Sequence, residues 1–237
     1  MRLPSVELAS ARTANCSLCP QLCQSRTHIV DTVLVGPGPE WPLLVIAQAP
    51  GKQEDRLAEP LVGPSGTLTR GILAEAGLRS YALANICRCY PADDRLPTSL
   101  EAIMCLPWLE ADLRAINPRV VLTMGKLASK WGALAVERTS TWGATAVDRM
   151  GEEAVRTGQP VTLIETVHPA YVLRNHRARP AFVQAVYDAA TLTGATSFRT
   201  IRPYSELPPD PRPWNMASID DVLATQSRYS AVDLETS

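Results

Sequence analysis

Aromatic side chains are scarce in this chain of 237 residues, at 5%, and only two are phenylalanine. A core built on stacked rings is excluded, so Leu, Val, Ile and Ala must fill the interior. Histidine is also rare, with three in the chain. Neither sign of charge dominates: 23 Lys and Arg stand against 24 Asp and Glu, a formal net of −1. A globally basic nucleic-acid binder is therefore excluded, and any such partner needs a local basic patch. No apolar run of roughly eighteen residues is present, which argues against a membrane helix or membrane partner. Met1-Arg2-Leu3-Pro4 carries no apolar signal core. The expectation is a cytoplasmic, reducing compartment, where the six cysteines are poor disulfide candidates.

What is present reads as a soluble α/β protein. Apolar residues make up 46% and charged residues 20%, an ordinary globular balance. Leu43 to Ala47 is a short apolar run ending before Pro50-Gly51, the pattern of a buried strand. Ser65 to Ala76 reads as a helix entered through Gly63-Pro64. Tyr81 to Ile86 is a second strand. Ser99 to Ile116 is a long helix with Ser99 at its N-cap, stopped by Asn117-Pro118. Arg119 to Met124 is a third strand, and the helix after Gly125 runs to about Trp131. Val161 to Val167 is a fourth strand, and Pro180 to Leu192 a last helix. This alternation predicts three αβα layers around a mainly parallel four-stranded sheet. Ligands of such sheets sit at the carboxyl ends of the strands. The predicted domain covers residues 1–194. Pro203, Pro208, Pro209, Pro211 and Pro213 mark a linker over 195–216.

The cysteines fall in two groups. Cys16 and Cys19 form a C-x-x-C pair with Cys23 close behind. Cys87 and Cys89 follow the second strand, and Cys105 lies in the next helix. Such a set suits four-thiolate binding of zinc or of an iron–sulfur cluster, and spacing alone does not choose between them. Buried free thiols are the alternative, and for Cys23 and Cys87 the better one.

Three post-strand loops carry unusual residues. The first is Gln48-Ala49-Pro50-Gly51-Lys52-Gln53-Glu54-Asp55, continued by Pro60-Leu61-Val62-Gly63-Pro64-Ser65-Gly66. The second is Asn85-Ile86-Cys87-Arg88-Cys89-Tyr90-Pro91. The third is His168-Pro169-Ala170-Tyr171-Val172-Leu173-Arg174. From about Asn15 to Thr193, this order resembles the family 4, iron–sulfur type of uracil-DNA glycosylase. That family shows G-E-x-P-G-x-x-E-D, P-F-V-G-x-x-G, N-x-x-x-C-x-P, a later helical cysteine, and H-P-[SA] followed by L-R.

The resemblance implies a uracil-DNA glycosylase-like fold and hydrolysis of the N-glycosidic bond of uracil in DNA. It implies a structural 4Fe–4S cluster on Cys16, Cys19, Cys89 and Cys105, with Cys23 and Cys87 outside the set. Asn85 would read the Watson–Crick edge of the flipped base, its amide matching O4 and N3–H. His168 would donate to the leaving base's O2 as negative charge builds there. Ala49, Pro50, Gly51 and Leu61 would line the base pocket. Arg174, His176 and Arg177 would meet phosphates, as would Ser65 at a helix start.

Two positions depart from the family. Gln48 replaces a glutamate; it holds a water but cannot act as its base. Glu54 and Asp55 are the remaining carboxylates, either stabilising a cationic sugar or orienting the loop. Leu61 replaces a phenylalanine that would stack on uracil, with Tyr90 and Tyr171 as substitutes. These departures keep open a second reading, a DNA-binding or uracil-sensing module without catalysis. A third, a zinc-bound nucleotide-binding domain, explains the cysteines but not the loops. Finally, Ile219 to Ala224 reads as a short helix. Asp233-Leu234-Glu235-Thr236 resembles the first metal-binding motif of 3′–5′ exonucleases. The resemblance there implies that residues 217–237 begin an exonuclease domain, and that the chain fronts a bacteriophage-type DNA polymerase.

Overall fold

A computed structural model describes residues 8–38, 40–140 and 161–194. In chain order the elements are α1 (Pro20–Ser25), β1 (Val33–Val35), β2 (Leu43–Ala47), α2 (Lys52–Leu57), α3 (Pro64–Glu75), β3 (Tyr81–Asn85), α4 (Ser99–Ile116), β4 (Val120–Met124), α5 (Lys126–Ser140), β5 (Thr162–Thr166), α6 (Pro169–Arg174) and α7 (Arg179–Leu192). The predicted linker and exonuclease start, together spanning 195–237, lie outside the described residues.

The sheet order is β1-β3-β2-β4-β5. β3, β2, β4 and β5 are mutually parallel, as the alternation of elements requires. The expectation of four strands needs correction. β1 adds a fifth, antiparallel to β3, through Val33↔Leu83 and Val35↔Tyr81. It is three residues long and half-buried, too short to give a periodic signal. The helix after Gly125 also runs further than expected, to Ser140.

β2 is buried on both faces and divides the core. Leu43, Val45 and Ala47 point to one side, with Leu73, Phe182 and Val186 from α3 and α7. Leu44 and Ile46 point to the other, with Ala102, Leu106 and Leu109 of α4 and Ala128 of α5. Period-two alternation along one strand thus produces the three layers. α4 begins one residue earlier than the serine reading implies. Thr98 is the cap: its side chain accepts from Glu101 N at 3.2 Å, and Glu101 Oε2 accepts from Thr98 N at 2.8 Å. A reciprocal box satisfies two helix-end donors, which a lone Ser99 cap would not.

The N-terminal segment is held to this body by a buried cation. Arg88, 2% exposed, pairs with Asp31 at 2.7 Å and with Asp112 of α4. It also donates to Ala9 O and Trp108 O. Thr32 donates to Asp112 as well. Three stretches distant in sequence therefore meet on one guanidinium. Removing it in Arg88→Met leaves two acidic groups without their cation. Urea unfolding should show a loss of about 3–5 kcal/mol, and Arg88→Lys should not restore it, because lysine lacks the planar fork.

Candidate active site

Parallel pairing brings the functional loops together. Ala47 lies opposite Asn85, Ile46 opposite Thr123, and Met124 opposite Thr166. Pairing continues past the strands: Ile86 N donates to Ala47 O at 2.9 Å, Cys87 N to Gln48 O at 3.0 Å, and Gly125 N to Thr166 O at 2.7 Å. Gln48, Asn85, Gly125 and His168 therefore share one edge of the sheet.

Asn85 ends β3 and is 4% exposed. Its side-chain Nδ2 has no hydrogen-bond partner among the described residues. A buried amide left unpaired costs about 1–3 kcal/mol, which an ordinary strand-end asparagine avoids by capping the turn.

His168 caps α6. Its Nδ1 accepts from Ala170 N at 3.2 Å, so the neutral ring carries its proton on Nε2. Burial, then the nearby Arg174 cation, pulls its pKa from the ordinary 6.5 down to about 4. The ring is thus an uncharged N–H donor near neutral pH.

Gly125 lies between Gln48 and His168. A Cβ there would stand 2.4 Å from Gln48 Nε2 and 3.1 Å from His168 Cβ, and its φ is +90°. Gln48 therefore packs over this glycine beside His168. Sequence reasoning missed Gly125, although a glycine directly after a strand is a signal of close approach.

The two expected carboxylates, Glu54 and Asp55, accept from backbone N–H groups. Glu54 Oε1 accepts from Val62 N at 3.1 Å and Gly63 N at 2.7 Å. Asp55 accepts from Thr27 N at 2.9 Å and His28 N at 3.0 Å. Of the two roles the sequence allowed, these contacts supply loop orientation. Pro50 is buried, Ala49 and Gly51 half-buried. Leu61 joins the apolar layer under α3 and α7. Its carbonyl accepts from Arg70 Nε at 2.9 Å, and its φ is +55°. Gly66 allows this turn, since a Cβ there would stand 1.8 Å from Leu61 O. Tyr171 is tied to Asn175 at 2.7 Å.

Arg174, His176 and Arg177 are exposed on the same edge of α6 and the turn beyond it. Leu173 between them is 40% exposed, an apolar residue the sequence reading passed over. Ser65 opens α3, half-buried. A cleft of about 560 Å³ lies among Leu8, Arg12, Asp31 and Glu59. Its charged groups are engaged: Arg12 donates to Ala58 O, Asp31 pairs with Arg88, and Glu59 pairs with Arg70.

Residues 35–191 match the Uracil DNA glycosylase superfamily. The chain belongs to that superfamily. It is similar to the Type-4 uracil-DNA glycosylase of Thermotoga maritima, 32% identical over 72% of this chain and 84% of that protein. The Type-4 uracil-DNA glycosylase of Pyrobaculum aerophilum is 30% identical over 71% and 84%. That of Archaeoglobus fulgidus is 32% identical over 59% and 71%.

In this superfamily member the cysteines gather below the second loop. Cys89 packs with Ala11, Leu22 and Ile29, and Cys16, Cys19 and Trp108 pack against them. Burial pushes the Cys19 thiol up to about 12, with Cys105, Glu101, Cys89 and Cys16 adding to it through space. Cys16, Cys19, Cys89 and Cys105 therefore occupy one neighbourhood. Among the described residues, no three His, Cys, Asp or Glu side chains are arranged to hold a single metal ion. Cys87 is fully buried and its thiol hydrogen-bonds Cys105, which pushes the Cys87 pKa up and the Cys105 pKa down.

Two measurements test this geometry. In nitrogen-detected NMR, His168 should stay neutral with the proton on Nε2 down to about pH 4. The unfolded ring binds its proton near 6.5, so the unfolded state holds more protons between these values. This group's contribution to stability should therefore fall as pH drops from 6.5 to 4. Gly125→Ala should displace Gln48 or His168. A displacement of ~1 Å at reacting groups costs on the order of a hundredfold in rate, measurable in single-turnover assays.

Proposed function

We propose that this protein is a uracil-DNA glycosylase that hydrolyses the N-glycosidic bond of deoxyuridine. The unpartnered Nδ2 of buried Asn85 carries the reading. It is a donor kept for a ligand, and uracil O4 answers it while the amide oxygen accepts from N3–H. Ala49, Pro50, Gly51 and Leu61 form the apolar surround of the base. As the bond between C1′ and N1 breaks, its electrons remain on uracil. Neutral His168 meets the charge on O2 with its Nε2–H, which spares the site a competing cation. Gln48 holds the water whose oxygen bonds to C1′, and the released proton passes to the base or to solvent.

Arg174, His176 and Arg177 supply phosphate contacts, and Leu173 is the apolar wedge beside them. At α3, Gly63 N is engaged by Glu54 and Pro64 has no N–H. Ser65 and Gly66 are then the amides left to face a phosphate.

The thiols of Cys16, Cys19, Cys89 and Cys105 hold a 4Fe–4S cluster in this reading. The donor set fits: four sulfurs from three segments share one neighbourhood, and a cluster spreads its ligands over separate irons rather than one point. Bound there, it supplies no step of the excision; it ties the N-terminal segment to the loop after β3. A second reading for the tail rests on Asp233-Leu234-Glu235-Thr236 alone. It places an exonuclease and polymerase after this domain in a bacteriophage-type replication protein, and extending the reading frame past Ser237 decides it.

Purified protein incubated with single- and double-stranded oligonucleotides bearing one uracil, then alkali, should give strand scission. His168→Ala and Asn85→Ala should each slow single-turnover excision by about 10²–10³. Tight binding without scission in the native protein would instead make it a uracil-sensing module.

A further inference from the structure

The arginines at the DNA-facing edge point outward; Arg26 points inward. It follows α1 directly and is half-buried. Its Nη1 donates to Cys89 Sγ at 3.1 Å, and its Nη2 donates to Cys16 O at 2.7 Å. One guanidinium thus joins the sulfur of one cysteine to the backbone of another. Among the described residues, the ion pairs formed by arginine involve Arg12, Arg70, Arg88, Arg95, Arg114, Arg119 and Arg138, each with a carboxylate. Arg26 differs from all of these: one of its two acceptors is a thiol sulfur.

We infer that Arg26 sets the reduction potential of the iron–sulfur cluster through its hydrogen bond to the Cys89 sulfur, an inference that rests on the cluster reading above. A charged donor on a ligating sulfur draws electron density away from the metal side. Reduction adds negative charge next to a cation that never loses its proton. Both effects favour the reduced state and raise the potential, since hydrogen bonds to cluster sulfurs and local charge are among its determinants. The second bond, to Cys16 O, fixes the guanidinium so that the first keeps its direction. Arg26 is accordingly a positioning residue with an electronic effect, and it takes no part in excision. Arg88 does not duplicate it, because its fork is filled by Asp31, Asp112 and two carbonyls.

The test uses the full chain, purified without oxygen, as native protein, Arg26→Gln and Arg26→Lys. Iron and sulfide analysis reports loading, and film voltammetry reports the midpoint potential. The native protein should contain iron and sulfide. Arg26→Gln should shift the midpoint to a lower potential, with Arg26→Lys between the two because it keeps charge but loses the fork. A native protein without iron would overturn the cluster reading and this inference with it. A loaded native protein with Arg26→Gln at an unchanged midpoint would overturn the role of Arg26 and leave the cluster standing. Should Arg26→Gln fail to load, Arg26→Lys decides: a lowered midpoint supports the inference and an unchanged one overturns it.

Discussion

Parallel pairing of β3, β2 and β4 is the constraint on which the site depends. Strands running the same way end on the same edge, so their following loops meet whatever their distance in sequence. The register does the fine placement. Ala47 opposite Asn85 puts the residue after one strand beside the end of its neighbour. A slip of one residue in either strand would turn Asn85 from the loop edge into an apolar layer. The continuous burial of Leu43–Ala47 and Tyr81–Asn85 prevents that slip, since each face already has its own helix partners.

This rigid edge lets the protein hold groups in states that are unfavourable by themselves. The unpaired amide of Asn85 works against folding, and the buried ring of His168 does so as pH falls below 6.5. Neither would persist on a soft loop, where rotation would return it to water. The stabilising interactions lie elsewhere, in the two apolar layers and in the Arg88 network. That network also fixes the cysteine-bearing segments, because Arg88 sits between Cys87 and Cys89. It pulls on Asp31 from the N-terminal stretch and on Asp112, two helical turns beyond Cys105. The cysteine-bearing segments are therefore brought together by ion pairs.

Much of this was legible in the sequence, for identifiable reasons. The four parallel strands are short apolar runs with clear stops, and α4 has a strong capping signal. The identity of the loop residues was legible too, because each follows a strand end. β1 was not, since three residues carry no period. The purpose of Glu54 and Asp55 was only half legible. Their spacing puts both in the first turn of α2, but whether a carboxylate faces a substrate or a backbone N–H depends on how Val62–Gly63 and Thr27–His28 fold back. Gly125 was passed over because its meaning lies in Gln48 and His168, which are far away in sequence.

In the proposed function, the two departures from the family pattern bear on different parts of the reaction. Leu61 sits in a turn fixed by its backbone, through Arg70 to its carbonyl and Gly66 beneath it. Exchange of its side chain therefore leaves the loop in place. An aromatic ring missing from the pocket removes stacking, worth about 1–3 kcal/mol per base, from substrate and transition state alike. That weakens binding without touching the chemical step. Gln48 is different. Its amide lies against Gly125 and beside His168, at the loop edge of the sheet, where it offers hydrogen bonds but no basic oxygen. Glu54 and Asp55 are held by backbone N–H groups, so in the mechanism proposed above the chemistry leans on departure of the base rather than on activation of the water. Within that proposal the donor on His168 matters more than it would in a site with a free carboxylate, because there it acts on the leaving group itself.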